Sequence, residues 1–399
     1  MKRDPLGKAL REAPIPVPAE AERRGLEVVA VAYAQRQPPR PQPVRLPRLA
    51  LAFAIATLLA ALLLSPAGAA VRDWVDEAIT TSTPPPEPEL AQIPGGGRLL
   101  VQSATGPWVV QPDGSRRLLG DYEEATWSPR GLFVAAVKGR TLSAVEPDGD
   151  PRWSITVSRR ISDPRWSPSR YRIAYRAGGD LRVVTADGSA DHLVAKTTAP
   201  VAPAWAPTGA SQLAFLSGGK LRVADSESPA LILSAPALVD IAELEWAAAG
   251  SAILESSPRA LRLRSVRANK LAGGPALGVG QRLPVPRGAT VVDAALAPKR
   301  QLVATVLTYW RDHGTRSSVV VYGPKGKPRR LLTVPGSLGQ VGWSPDGRRL
   351  LVAWPYANQW LFLPIGKGQG RAVANVSRAF APGGRAASFP RVEGWCCRP

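Results

Sequence analysis

A five-residue pattern recurs along most of this chain and restricts the folds open to it. Trp-Ser/Ala-Pro-x-Gly occurs as Trp127-Ser128-Pro129-Arg130-Gly131, Trp205-Ala206-Pro207-Thr208-Gly209 and Trp343-Ser344-Pro345-Asp346-Gly347. Trp166-Ser167-Pro168-Ser169-Arg170 keeps the first three positions. Looser copies stand at Trp246-Ala247-Ala248-Ala249-Gly250, Leu296-Ala297-Pro298-Lys299-Arg300 and Phe380-Ala381-Pro382-Gly383-Gly384. Successive copies lie 39, 39, 41, 50, 47 and 37 residues apart. A period of this size marks an array of one supersecondary unit that buries its faces against its neighbours. Inside the unit an apolar strand follows the anchor, as at Leu132-Phe133-Val134-Ala135-Ala136-Val137. A glycine turn leads to a second strand, and Gly178-Gly179-Asp180-Leu181-Arg182-Val183 nearly matches Gly218-Gly219-Lys220-Leu221-Arg222-Val223. Asp-Gly pairs at 113–114, 148–149 and 187–188 suit tight hairpins that need positive φ. Four short strands in about forty residues is the pattern of a propeller blade. In that reading tryptophan fills the wedge between blades, and Pro and Gly set the turn.

These residues resemble the TolB/WD40-like (PD40-type) β-propeller repeat, whose hallmark is Trp-Ser-Pro-Asp-Gly; residues 343–347 match it letter for letter. The resemblance covers roughly residues 95–395 and implies an all-β propeller with Trp127, Trp166, Trp205, Trp246 and Trp343 as structural anchors. It does not extend to TolB itself, because a membrane anchor and a proline linker stand where TolB has its own N-terminal domain. Six intervals separate the seven copies, and residues 98–119 add most of another blade. That predicts seven blades, with six as the alternative, and residues after Phe380 are expected to supply the strand that closes the ring.

Residues 49–71 contain no charged side chain. These 23 residues would reach about 34 Å as a helix, enough for a hydrocarbon core of about 30 Å. A cleaved signal peptide is the competing reading, but 48 residues precede the run, which is long for an n-region. Arg36, Arg40, Arg45 and Arg48 on one side outnumber Arg72 on the other, which keeps the N-terminus in the cytoplasm and exports the remainder of the chain. The expected organisation is a cytoplasmic segment (1–48) with a short amphipathic helix, a transmembrane helix (49–71), a Pro/Thr-rich linker (72–94) and the propeller (95–399).

The formal charge is +20, yet 41 of the 51 basic residues are arginine, a bias typical of GC-rich bacterial genomes. No nucleic-acid module concentrates that charge, so no nucleic-acid partner is expected. No Gly-x-Ser-x-Gly elbow and no P-loop is present, and with two histidines and two cysteines a metal site of four cysteines or of three histidines cannot be built. His192 and His313 read as loop histidines, adjacent Cys396 and Cys397 as a tail thiol pair, with a vicinal or intermolecular disulfide as the alternative. A lactonase-type enzyme would need carboxylates converging on the channel, whereas several Asp residues sit in Asp-Gly turns. The expectation is therefore a non-catalytic scaffold or sensor without metal or cofactor. Its N-terminus (1–47) also looks faintly like the cytoplasmic ends of membrane proteins that restrain a σ factor, which makes signalling the alternative.

Trp108, Trp310, Trp354 and Trp360 fall outside the anchors and are candidates either for core packing or for lining a face. The blades after Trp246 are longest, with the extra length at 268–282 and 309–318. Lys270, Arg282, Arg311 and Arg316 lie there and are the candidate contacts for an anionic envelope polymer or headgroup, the alternative partner being a protein.

Overall fold

The computed structural model describes residues 86–399 except 88, 170, 208–210, 229, 270–273, 278–279, 312–313, 382–387 and 398–399, and omits the side chains of 267–269, 274–277 and 311. The segment expected to be cytoplasmic (1–48) and the apolar run (49–71) lie outside the described residues. Among the described residues no helix is long and apolar enough to cross a membrane.

The strands form seven sheets, each a blade, five of four strands and two of five. The innermost strands of blades 2 to 7 are Glu124–Trp127, Ile161–Trp166, Ala204–Trp205, Glu243–Trp246, Ala289–Leu296 and Val341–Trp343. Blade 1 takes its innermost strand, Arg391–Cys396, from the C-terminus and its other three, Arg98–Ser103, Gly106–Val110 and Arg116–Leu118, from the N-terminal side. A strand from the C-terminal end thus completes a sheet begun at the N-terminal side, which closes the ring. Seven blades is the number the repeat predicted.

Each anchor motif is the turn between a blade's first and second strands. Gly131 and Gly347, at φ 63° and 69°, donate their backbone N–H to the carbonyls of Ser128 and Ser344, both at 2.8 Å. The buried serine hydroxyl accepts from the backbone N–H of the next strand, Ser128 from Phe133 at 3.0 Å and Ser344 from Arg349 at 2.9 Å. All five anchor tryptophans are buried. Trp205 Nε1 donates to the Arg165 carbonyl and Trp343 Nε1 to the Ala295 carbonyl, each at 2.9 Å, so these two indoles tie their blade to the one before it.

Three expectations are corrected. Phe380 is not an anchor: it follows the short helix Val376–Ala379 and packs on Trp360 and Trp108, with ring centroids 5.3 and 5.9 Å away. The anchor of blade 1 is Trp395, opposite Leu99 as Trp343 is opposite Leu350. Next to it Cys396 and Cys397 form a vicinal disulfide rather than a thiol pair, lodged against the turn at Gly131. Finally, residues 86–94 are not wholly a solvated linker. Pro86–Glu87 adds a parallel fifth strand outside Arg371–Val373 of blade 7, and both Arg371 Nε and Nη2 donate to the Glu87 carboxylate at 2.7 and 2.6 Å. Leu90 and Ile93 then enter the core between blades 7 and 1. Their apolar side chains outweigh the extended preference of the prolines around them. Ile93→Ala should therefore lower unfolding stability by about 2–4 kcal/mol in a denaturant titration. A solvated linker would give a change below about 0.5 kcal/mol.

Candidate functional site

The seven inner strands enclose a central cavity of about 600 Å³. Six carboxylates line it (Glu124, Asp163, Glu243, Glu245, Asp293 and Glu393) against two guanidinium groups, Arg165 and Arg391. In a chain with an overall formal charge of +20 this is a local reversal of sign. The expectation that the acidic residues are spent on turns holds only for the Asp-Gly sites. There Asp113 and Asp187 accept from the backbone N–H of Ser115 and Ser189, both at 3.0 Å.

The channel carboxylates are also bound. Four inner strands reach to the backbone of the next blade: Glu124 accepts from Asp163 N–H at 2.6 Å, Glu245 from Leu296 at 2.6 Å, Asp293 from Val341 at 2.7 Å, and the Gln340 amide oxygen from Val392 at 3.1 Å. These side chains act as rivets around the ring. Burial pushes Glu245 up to about 8, against the Leu296 hydrogen bond and the attraction of Arg165, which pull it down. Glu243 is raised well above the ordinary carboxylate range by burial, by the negative charges of Asp293 and Glu245, and by its hydrogen bond to Asp293. Asp293 is raised by burial and partly restored by the Val341 N–H and by Glu243. Glu243 and Asp293 thus stand together at the junction of blades 5 and 6 as two buried carboxylates, each of which disfavours the charge of the other. Among the described residues no group of three or more His, Cys, Asp or Glu is placed to hold a metal ion.

The sequence did carry a signal for this ring. Glu124, Asp163, Glu243, Asp293 and Gln340 each stand three residues before the anchor position. Blades 4 and 1 have Ala202 and Val392 there instead.

The expected cationic site is differently placed. Lys270 lies outside the described residues. Arg311 ends the strand Val303–Arg311, opposite Gly314. Arg316 is half-buried in the same hairpin opposite Tyr309, and Arg282 is exposed on the strand Gln281–Leu283 opposite Arg262. Residues 268–282 join the third and fourth strands of blade 5, whereas 309–318 join the second and third of blade 6. In antiparallel sheets of the same strand order these connections lie at opposite ends. The two long loops open on opposite faces of the ring and do not form one site.

The hairpin of blade 6 does mark a face. Trp310 is 76% exposed near its tip, Tyr356 is 71% exposed in the corresponding turn of blade 7, and Val239 is 80% exposed between blades 4 and 5. These connections, second-to-third strand and blade-to-blade, share the end of the sheets where the inner strands begin, and so share it with the acidic residues. Of the other tryptophans outside the repeat, Trp354 and Trp360 are buried and Trp108 is half-buried. His192 is half-buried rather than free in a loop, with Nε2 2.5 Å from the Ser226 carbonyl of the next blade; His313 lies outside the described residues.

No known family profile and no curated protein matches the chain. Among solved structures, Hsv2p from Kluyveromyces lactis superimposes with a TM-score of 0.51 at 13% identity, over 72% of this chain and 96% of that one. The Cps50 (Swd1) β-propeller domain of Myceliophteria thermophila gives 0.48 at 14% identity, over 71% and 98%. Hydrazine synthase of Kuenenia stuttgartiensis gives 0.47 at 13% identity, over 60% and 76%. At such identities what the likeness to Hsv2p establishes is the fold: this chain carries a seven-bladed β-propeller.

Proposed function

We propose that the protein is a non-catalytic, membrane-tethered scaffold, with its propeller outside the cytoplasm and a protein partner on the face where the inner strands begin. The observation that carries this reading is the grouping on that face of the exposed Trp310, Tyr356 and Val239 around an acidic channel mouth. Exposed aromatics are the residue types that anchor protein interfaces, and a mouth rich in carboxylates favours a partner that offers Lys or Arg there. The engagement of Glu124, Glu245 and Asp293 with the next blade's backbone supports a structural rather than a catalytic use of the channel acids. The apolar run at 49–71 with its flanking arginines supports the tether.

A photo-crosslinking amino acid placed at position 310 or 356 in living cells tests the face. Discrete adducts from those positions, and none from position 132 at the other end of the sheets, are the expected result. Adducts from 132 alone, or equal yields from both faces, would overturn the assignment. Trp310→Ala should leave thermal unfolding within about 0.5 kcal/mol of the parent, because the side chain is 76% exposed. The same substitution should lose the adduct formed from position 356. In protoplasts, external protease should degrade the propeller while an N-terminal tag survives; the opposite pattern would reverse the topology.

A further inference from the structure

A second cavity, of about 460 Å³, opens at the outer rim of the ring between blades 7 and 1. Its floor is apolar and buried: Leu90, Trp360, Val373, Val376 and Phe380 are each at most 9% exposed. Its rim is cationic. Arg116 comes from the outermost strand of blade 1 and stands 5.8 Å over the Phe380 ring, and Arg378 comes from the short helix Val376–Ala379. Both are exposed, against one rim carboxylate, Glu89. Trp360 Nε1–H is buried here without a hydrogen-bond partner.

The cavity has the size of a small-molecule pocket rather than of a packing defect. At roughly 30 Å³ per atom, the share of a water in the liquid, it takes about fifteen non-hydrogen atoms. An apolar body of that size with one anionic end matches floor and rim together: the body covers the aromatic floor and the anion meets the two guanidinium groups. We propose that this cavity binds a medium-chain acyl anion of about a dozen carbons, its carboxylate held by Arg116 and Arg378. The site is separate from the partner face, at the outer edge of the blades, and stands whether or not that reading survives.

The test uses the full chain in whole-cell lysate with a diazirine-bearing dodecanoate, irradiated and mapped by peptide mass spectrometry. Adducts are expected in the peptides holding Leu90 and 375–380, at least fivefold reduced by unlabelled dodecanoate but not by dodecanol. Arg116→Glu combined with Arg378→Glu should reduce them at least tenfold. Both side chains are exposed, so the thermal midpoint should stay unchanged, which separates loss of binding from loss of fold. Competition by a dodecyl lysophospholipid as strong as by dodecanoate would assign the anion to a lipid headgroup rather than a free acid and would support the site. No adduct in these peptides, equal competition by dodecanol, or undiminished labelling of the double variant would overturn the proposal.

Discussion

Raising the pH from 5.5 to 8.5 is expected to lower the thermal midpoint of the propeller, and Glu245→Gln to remove a large part of that loss. Glu245 has a native value of about 8 because burial disfavours its charge. In the unfolded chain it titrates near the ordinary carboxylate value of about 4.3. Between those values the native state holds a proton that the unfolded state has released, so stability falls as pH rises through that window. Below about pH 4 both states are protonated and the effect vanishes; above about 8 it is complete. The loss is on the order of 3–5 kcal/mol for Glu245, or about 5–8 °C for a domain of this size. Glu243, Asp293 and Glu124 are raised as well and act in the same direction, while Arg165 and Arg391 oppose them. Glutamine keeps an oxygen for the Leu296 N–H yet carries no titrating charge, so the variant should be the more stable of the two at pH 8.5 and no more stable at pH 4. Calorimetry at several pH values decides it. Identical pH slopes for variant and parent would mean that Glu245 is solvated and ordinary.

Glu255→Ala should destabilise the propeller by about 3–5 kcal/mol in chemical denaturation. The Glu255 side chain is completely buried in blade 5, where it accepts from Arg262 Nε at 3.0 Å, Arg264 Nε at 2.6 Å and the Leu238 backbone N–H at 3.0 Å. Both arginines also donate to the Pro236 carbonyl, at 3.1 and 2.8 Å. Removing the carboxylate takes from two guanidinium groups in the interior the charge that both of them bind. Replacing all three by leucine removes every charge at once and should recover most of the loss, because a buried ionic triad contributes little beyond a packed apolar cluster. A drop below about 1 kcal/mol for the single variant would mean that water reaches the arginines.

Much of the blade was legible. Strand, glycine turn and tryptophan follow one another within a few residues, and each choice is set by neighbours close in the chain. Trp343-Ser344-Pro345-Asp346-Gly347 encodes its own turn: proline presets one dihedral, glycine takes the positive φ, and the serine hydroxyl caps the next strand. The number of repeats then bounds the number of blades, since each needs a neighbour to cover its faces. Even the acidic ring was written three residues before the anchors, though nothing local says that those side chains turn inward.

What the tertiary structure alone decided lies where distant residues meet. Phe380 has the motif's Ala-Pro-Gly but is the plug of the seam, and Trp395 the anchor, because the closing strand must pair with Arg98–Ser103 almost a whole chain away. Residues 86–94 read as a linker until Arg371, 284 positions on, offers Glu87 its charge and the seam takes in Leu90 and Ile93. The two long loops looked like one binding face because length in sequence carries no direction; strand order sends them to opposite ends. By itself the sequence determined the repeating unit, since strands and turns are chosen by short-range sterics and hydrogen bonding. Ring closure, the burial of the channel carboxylates and the sharing of faces between loops were decided only by the fold, since burial and charge interactions depend on which residues are near in space.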